Sequence, residues 1–315
     1  MKGAAVAGVD EAGLGPTLGP LVVGAALFRG SPEALADLYG RLDGLVARDP
    51  AAIPDRLAVD DSKRLFAGRR TLAPLELSAL ATLRPGAPLA ARLEQLHDAP
   101  TEGWPPWYSA AADEPPLPVE ADPALARAWR ERWPAELAAR GVEPVALFVR
   151  PVLEDELNAC FRAGLNKAQA VLTRLAPVLR RLAARVPGDD LRIVVDRLGG
   201  RRYYADFLRT VFPLRPLAAL EERETRSCYE LRDGARTLTI AFEVEGDGRH
   251  FEVALASVAA KYVRELFVRR LNAHFARRKP GLRFTAGYPH DATRWLAEAA
   301  DVLTASERAT LVRER

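Results

Sequence analysis

Residues 5–16 read AVAGVDEAGLGP. The apolar run Ala5–Val9 ends in two adjacent carboxylates, Asp10 and Glu11, and the chain then becomes glycine-rich through Gly13, Leu14 and Gly15. A second apolar run, PLVVGAALF (20–28), follows at once. Short apolar runs flanking a glycine turn read as two buried strands. Acids at the end of a buried strand are costly, because burial and like charge both oppose ionisation.

Working outward, the same pattern recurs. VALFVRPVL (145–153) reads as a strand, LRIVVD (191–196) as a short strand ending on Asp196, and LTIAFEVEGD (238–247) as a strand ending near Asp247, with Glu243 and Glu245 just before it. With the helical stretches between them, these strands predict a mixed α/β sheet. Ligands of such sheets gather at strand ends. If the strands are neighbours, Asp10, Glu11, Asp196 and Asp247 meet in one volume, and divalent cations would resolve their repulsion. Oxygen-only ligation suits Mg²⁺ or Mn²⁺ better than zinc. Any single strand-terminal Asp is more often a turn former or helix cap; four acids at three strand ends make that reading harder to sustain.

The chain has 315 residues, 49% of them hydrophobic, enough for one large core with a substantial insertion. A net charge of +3 neither requires nor excludes a polyanionic partner, so local clustering has to decide. Between Lys261 and Arg283 stand eight Lys or Arg and one acid, Glu265, which predicts a positive stripe suited to phosphates on a helix over 254–278. Two cysteines, Cys160 and Cys228, give no disulfide framework. No apolar run approaches membrane-spanning length, so a cytoplasmic protein with no membrane partner is expected. Residues 85–134 carry ten of the 24 prolines and four of the five tryptophans. That composition breaks regular structure, and 85–144 reads as an insertion with a small core of its own, ending in a helix over 123–140. Helices are further expected over 31–48, 65–83 and 154–185, the last bent at Pro177.

Several of these pieces resemble, in order, the ribonuclease HII and HIII family. GVDEAGLGPTLGPLVVGAAL resembles its opening GxDEAGRGPxxGPxV, and DDSKRL (60–65) its DSKKL. EDELN (154–158) and VVDRLGG (194–200) resemble the segments around its third acid. EGDGRHFEVALASVAAKYVREL (245–266) is similar to its fourth acid followed by AASIxAKxxRD, and GYP (287–289) to its GYPT. The resemblance implies a ribonuclease H-like fold: a mixed five-stranded sheet flanked by helices, formed by 1–84 and 145–315. It implies Asp10, Glu11, Asp196 and Asp247 as catalytic ligands of two Mg²⁺ or Mn²⁺ ions. The implied activity is endonucleolytic cleavage of RNA in RNA–DNA hybrids or ribonucleotide-containing DNA, leaving 5′-phosphates. Gly13, Leu14, Gly15, Ser62, Lys63, Lys261 and Tyr288 fall where the family contacts its substrate, and Ser257 where small residues allow close helix–sheet packing.

The departures are specific. Leu14 stands where ribonuclease HII has arginine and cannot make a bidentate phosphate contact. His290 replaces the family's threonine after Tyr288-Pro289. The alternatives are the same fold acting on another structured nucleic acid, or a nucleic-acid-binding protein without catalysis. Among the histidines, His250, three residues after Asp247, is the one to follow.

Overall fold

The computed structural model describes residues 3–49, 51, 55–66, 71–197 and 199–314. Its strands are β1 (Ala4–Ala12), β2 (Leu21–Gly30), the two-residue β3 (Val46–Ala47) and β4 (Leu57–Ala58), β5 (Val142–Val152), β6 (Asp190–Asp196), β7 (Leu217–Glu222), β8 (Arg226–Asp233) and β9 (Arg236–Glu243). The helices are α1 (Leu38–Arg41), α2 (Ser62–Phe66), α3 (Ala73–Thr82), α4 (Pro123–Ala139), α5 (Glu154–Arg162), α6 (Lys167–Arg185), α7 (Ala205–Val211), α8 (Phe251–Arg278), α9 (Pro289–Glu298) and α10 (Ala305–Leu311). None of the described helices is long and apolar enough to cross a membrane.

Seven strands form one mixed sheet in the order β5-β2-β1-β6-β9-β8-β7. β1 lies antiparallel to β2 and parallel to β6, and β6 is parallel to β9. All five strands read from the sequence are present as neighbours. The β7–β8 hairpin extends them, so the sheet has seven strands rather than five. Its sequence hides it: β7 (LAALEE) is an edge strand with Leu220 exposed, and it shows no period-two apolar pattern.

Alternation along β1 divides the core. Val6 packs with α3, α4 and α8 on one face, while Ala5, Ala7 and Val9 pack with α5, α6 and α7 on the other. α8 lies close on β1 and β2 because glycines face it. A Cβ on Gly8 would come within 2.1 Å of the Glu252 backbone, and one on Gly24 within 2.2 Å of the Ala256 carbonyl. Any side chain there would push α8 off the sheet.

Three helix expectations change. Over 31–48 only α1 is helical; Gly44, with φ of 79°, follows it. The helix expected over 65–83 is seen as α2 and α3, with 67–70 outside the described residues. The long helix from 154 breaks not at Pro177, which sits inside α6, but at Gly164 (φ 82°), after which Asn166 caps α6 through the Gln169 amide. Nor does 85–144 keep a separate core. Trp104, Trp107, Trp129 and Trp133 join the cluster built on α8, where Trp104 and Tyr108 lie 5.1 and 5.0 Å from the Phe267 ring.

Candidate active site

Asp10, on the α8 face of β1, is almost fully buried, and the Ser257 hydroxyl of α8 hydrogen-bonds to it. The Ser62 hydroxyl lies 3.0 Å from the Ser257 hydroxyl, within hydrogen-bond distance, so α2 and α8 orient the same acid. Asp196 ends β6, the parallel neighbour of β1. β9 stops at Glu243, short of the strand expected to 247: Glu245 takes a left-handed φ of 54°, and the following Gly246 amide donates to Asp196 Oδ1 at 2.8 Å. Asp247 therefore sits on the turn into α8, and its Oδ1 accepts from the Gly248 amide at 2.9 Å.

These acids share one electrostatic neighbourhood. Burial, then repulsion from Glu11, Asp196 and Asp247, holds the Asp10 carboxyl well above the usual range. Glu11 is raised by burial and by Asp196. Asp196 is raised by burial, against the Gly246 hydrogen bond, and Asp247 is pushed to about 6 by burial, Asp196 and Asp61. Asp61 is a fifth acid of this neighbourhood that the sequence reading does not include, although it lies within the quoted DDSKRL. The Lys63 ammonium acts on Glu11, Asp196 and Asp247 against their repulsion; burial works against its charge, but Asp61, Asp10, Asp247 and Asp196 more than offset that and raise its pKa. Among the described residues, no group of three or more acidic, histidine or cysteine side chains converges closely enough to hold a metal ion. Asp10, Asp196 and Asp247 each turn one oxygen to a local backbone amide instead. The donor set, all oxygen and mutually repelling, is of the kind that suits hard divalent cations.

Glu243 is set apart from the cluster. Its hydrogen bond from His250 at 3.1 Å, outweighing its burial, and its bond from Arg226 at 3.0 Å hold it down to about 2. His250 is thereby tied to Glu243 rather than offered to the acids.

The glycine turn lies beside the acids. Gly13 has φ of 94°, and a Cβ there would meet the Pro20 carbonyl at 2.6 Å and Arg264 at 2.8 Å, so only glycine fits. Tyr288, half exposed, stands beside Gly15 and under the Arg264 guanidinium, 5.7 Å from its ring centre. Leu14 turns the other way, into the apolar cluster of α5 and α6, where it helps line a cavity of about 500 Å³ with Leu21, Leu157, Phe161 and Val171. That explains a leucine between the glycines: it packs.

The phosphate-binding stripe expected on α8 is corrected. Lys261 and Arg264 share Glu265 at 2.6 and 2.9 Å, and Lys261 also lies over the Phe66 ring. Arg269 pairs with Glu120, Arg270 with Glu94 and Glu114, and Arg277 with Asp113, all acids of 85–144. Arg278, Lys279 and Arg283 pair with Glu307, Asp301 and Glu298. The face is cationic in composition and neutralised in place.

No family model matches the chain, and no curated protein matches it. Among solved structures the chain is similar over 98% of its length to ribonuclease HII of Archaeoglobus fulgidus in its complex with PCNA (16% identity, TM-score 0.42, 94% of that chain covered). It is similar over the same share to ribonuclease H2 from Pyrococcus horikoshii (17%, 0.42, 92% of that chain). The third likeness is to Bst-RNase HIII in complex with Mn²⁺ (15%, 0.41), where the chain spans 64% of that protein's length.

Proposed function

We propose that this protein is a divalent-metal-dependent endonuclease that hydrolyses RNA in RNA–DNA hybrids, with Asp10, Glu11, Asp196 and Asp247 as ligands of two Mg²⁺ or Mn²⁺ ions, which would have to draw these carboxylates closer than they stand in the structure. The observation that carries the reading is the set of four acids from three chain segments, all held above the usual carboxylate range by burial and by neighbouring acids, beside a lysine and a glycine turn. The ordered motifs support it independently. Two divalent ions bound there would supply water activation and charge neutralisation at the leaving oxygen of a phosphodiester. Of the chain's own groups, Ser62 and Ser257 hold Asp10 in position, Gly246 holds Asp196, and the Lys63 ammonium would meet the phosphate. Gly13 and Gly15 present backbone to the ribose, and the exposed Tyr288 ring offers a stacking face beside them. Lys261, drawn onto Glu265, has a smaller part in this reading than the sequence suggests.

The test is a cleavage assay with an all-RNA hybrid strand and with a lone ribonucleotide in DNA, each with Mg²⁺ and with Mn²⁺. Cleavage lost in Asp10→Asn and Asp196→Asn is the expected result; a wild-type protein that cuts neither substrate overturns the reading. Divalent cation should also raise the melting temperature of the wild type and not of Asp10→Asn. A second reading, the same chemistry on another structured nucleic acid, is favoured by one observation: Leu14 is packed inward and the α8 cations are paired, so fewer charges face a long duplex. Faster turnover of a branched or single-stranded substrate than of the hybrid supports it.

A further inference from the structure

The backbone of residues 13–19 is held from below by two buried side chains, Arg313 and Glu154, and a third, Tyr108, holds Glu154; none has a part in the chemistry above. Arg313, near the C-terminus, donates from Nη1 to the Gly13 carbonyl at 2.5 Å and from Nη2 to the Gly19 carbonyl, while its own amide bonds the Thr17 carbonyl at 3.0 Å. Glu154, at the start of α5, accepts the Gly19 amide at 2.9 Å. The same oxygen, Glu154 Oε1, accepts the Tyr108 hydroxyl at 2.5 Å, and Tyr108 belongs to the 85–144 segment. Arg270 of α8 fixes the Tyr108 carbonyl at 2.7 Å and so ties that segment to the helix. Tyr108, Glu154 and Arg313 are all over nine-tenths buried.

The turn needs this support. Gly13 and Gly19 both have left-handed φ values, 94° and 90°, so the segment between β1 and β2 lacks a regular hydrogen-bond ladder and its polar groups must be met from outside. A buried carboxylate and guanidinium are an expensive way to add stability alone, because desolvation consumes most of the attraction. What they fix is geometry, and all the loop contacts of Arg313 and Glu154 fall on the backbone of the segment that borders the acid cluster.

We infer that Tyr108, Glu154 and Arg313 are positioning residues that set the shape of the glycine turn for substrate, and that this is the task of the 85–144 segment at the active site. The substrate half of the inference rests on the proposed function; the loop half does not. Tyr262 provides the control. Its hydroxyl donates at 2.8 Å to Glu76, another buried carboxylate, but Glu76 pins the amides of 119–121 rather than the glycine turn. Tyr108→Phe and Tyr262→Phe therefore remove bonds of the same kind.

The experiment measures amide hydrogen exchange over 13–19 in the cation-free protein, with melting temperature and steady-state cleavage, in both variants. Both are expected to lower the melting temperature similarly. Only Tyr108→Phe should speed exchange across 13–19, by about tenfold or more, and raise KM several-fold with kcat little changed. Unchanged loop exchange in Tyr108→Phe, or equal acceleration in Tyr262→Phe, overturns the inference. If Tyr108→Phe does not fold, Arg313→Lys is read the same way, because a lysine keeps the charge but loses the two-carbonyl grip. If the wild type cuts no nucleic acid, the functional reading fails while the exchange measurement still decides the loop.

Discussion

The acid cluster at the tip of β1 and the cationic face of α8 are both dense in charge, and the fold treats them in opposite ways. Every Lys and Arg between 261 and 283 has a carboxylate within reach, several supplied by the 85–144 segment. Asp10, Glu11, Asp196 and Asp247 have mainly each other and one lysine. A run of charge in a sequence thus indicates function only when the fold leaves it uncompensated. The α8 stripe is a seam that attaches the 85–144 segment. The acids are the unresolved charge, and unresolved charge is where a ligand contributes most.

The sharpest way to break this contrast is to remove one charge from each region. Asp10→Asn is expected to lower cleavage by at least about a thousandfold, since a metal-centred site supplies several kcal/mol of transition-state stabilisation. Because it relieves like-charge repulsion, the same change should leave cation-free stability equal or higher, as read by urea denaturation. Arg270→Ala should do the reverse. It strands Glu94 and Glu114 beside a buried gap and costs about 3 kcal/mol, with kcat per folded molecule little changed and any loss confined to KM, through the Tyr108 carbonyl that Arg270 holds. Loss of stability in Asp10→Asn together with loss of kcat in Arg270→Ala would dissolve the distinction.

That contrast also marks what the sequence made legible. The five central strands announce themselves by apolar runs, three of them running into acids, and Asp10, Glu11 and Asp196 are legible because a strand end is a local signal, with Asp247 on the turn just past β9. Asp61 shares the motif that supplied Ser62 and Lys63 and was reachable by the same reasoning. The pairing of Arg270 with Glu94 and Glu114 was not legible, because it spans more than 150 residues with no periodic pattern to link them. Arg313 and Glu154 carry no local signal either; their partners are backbone groups of a distant turn. The β7–β8 hairpin escaped notice because an exposed edge strand needs no apolar alternation.

A smaller effect separates the regions by pH. Asp247 is raised to about 6, so its contribution to cation-free stability is fully present below about pH 4, is lost as pH rises to about 6, and is flat above. Glu243 is lowered to about 2 by His250 and Arg226, so its contribution is present above about pH 4.5 and is lost as pH falls toward 2. Between pH 4 and 6 the wild type should lose stability with rising pH, and Asp247→Asn should flatten that slope by about 1 kcal/mol once solvent screening is allowed for. Glu243→Gln should leave that slope intact and lower stability above about pH 4.5, the deficit vanishing as pH falls toward 2. Saturating Mg²⁺ should abolish the Asp247 slope. Urea midpoints at half-unit pH steps, with and without the cation, test each sign.

The finest test concerns Arg269 and Arg277, whose side chains are half exposed although paired with Glu120 and Asp113 at 3.2 and 2.8 Å. Exposed pairs of this kind are worth about 0.5 kcal/mol or less, so the double variant Arg269→Ala, Arg277→Ala should unfold at nearly the wild-type urea concentration. Stability alone therefore cannot distinguish a seam from a phosphate-binding face; salt can. A cation that neutralises a phosphate displaces condensed counterions, and losing two such contacts should reduce the slope of log affinity against log salt by about 2. If these arginines serve the 85–144 segment, binding of a hybrid by the catalytically silent Asp10→Asn protein should keep its slope when both are removed. Lys63→Ala, beside the acids, should reduce that slope by about 1 in the same titration. A fall of 2 in the arginine variant with none in Lys63→Ala would reverse the roles of the two regions and place the substrate along α8.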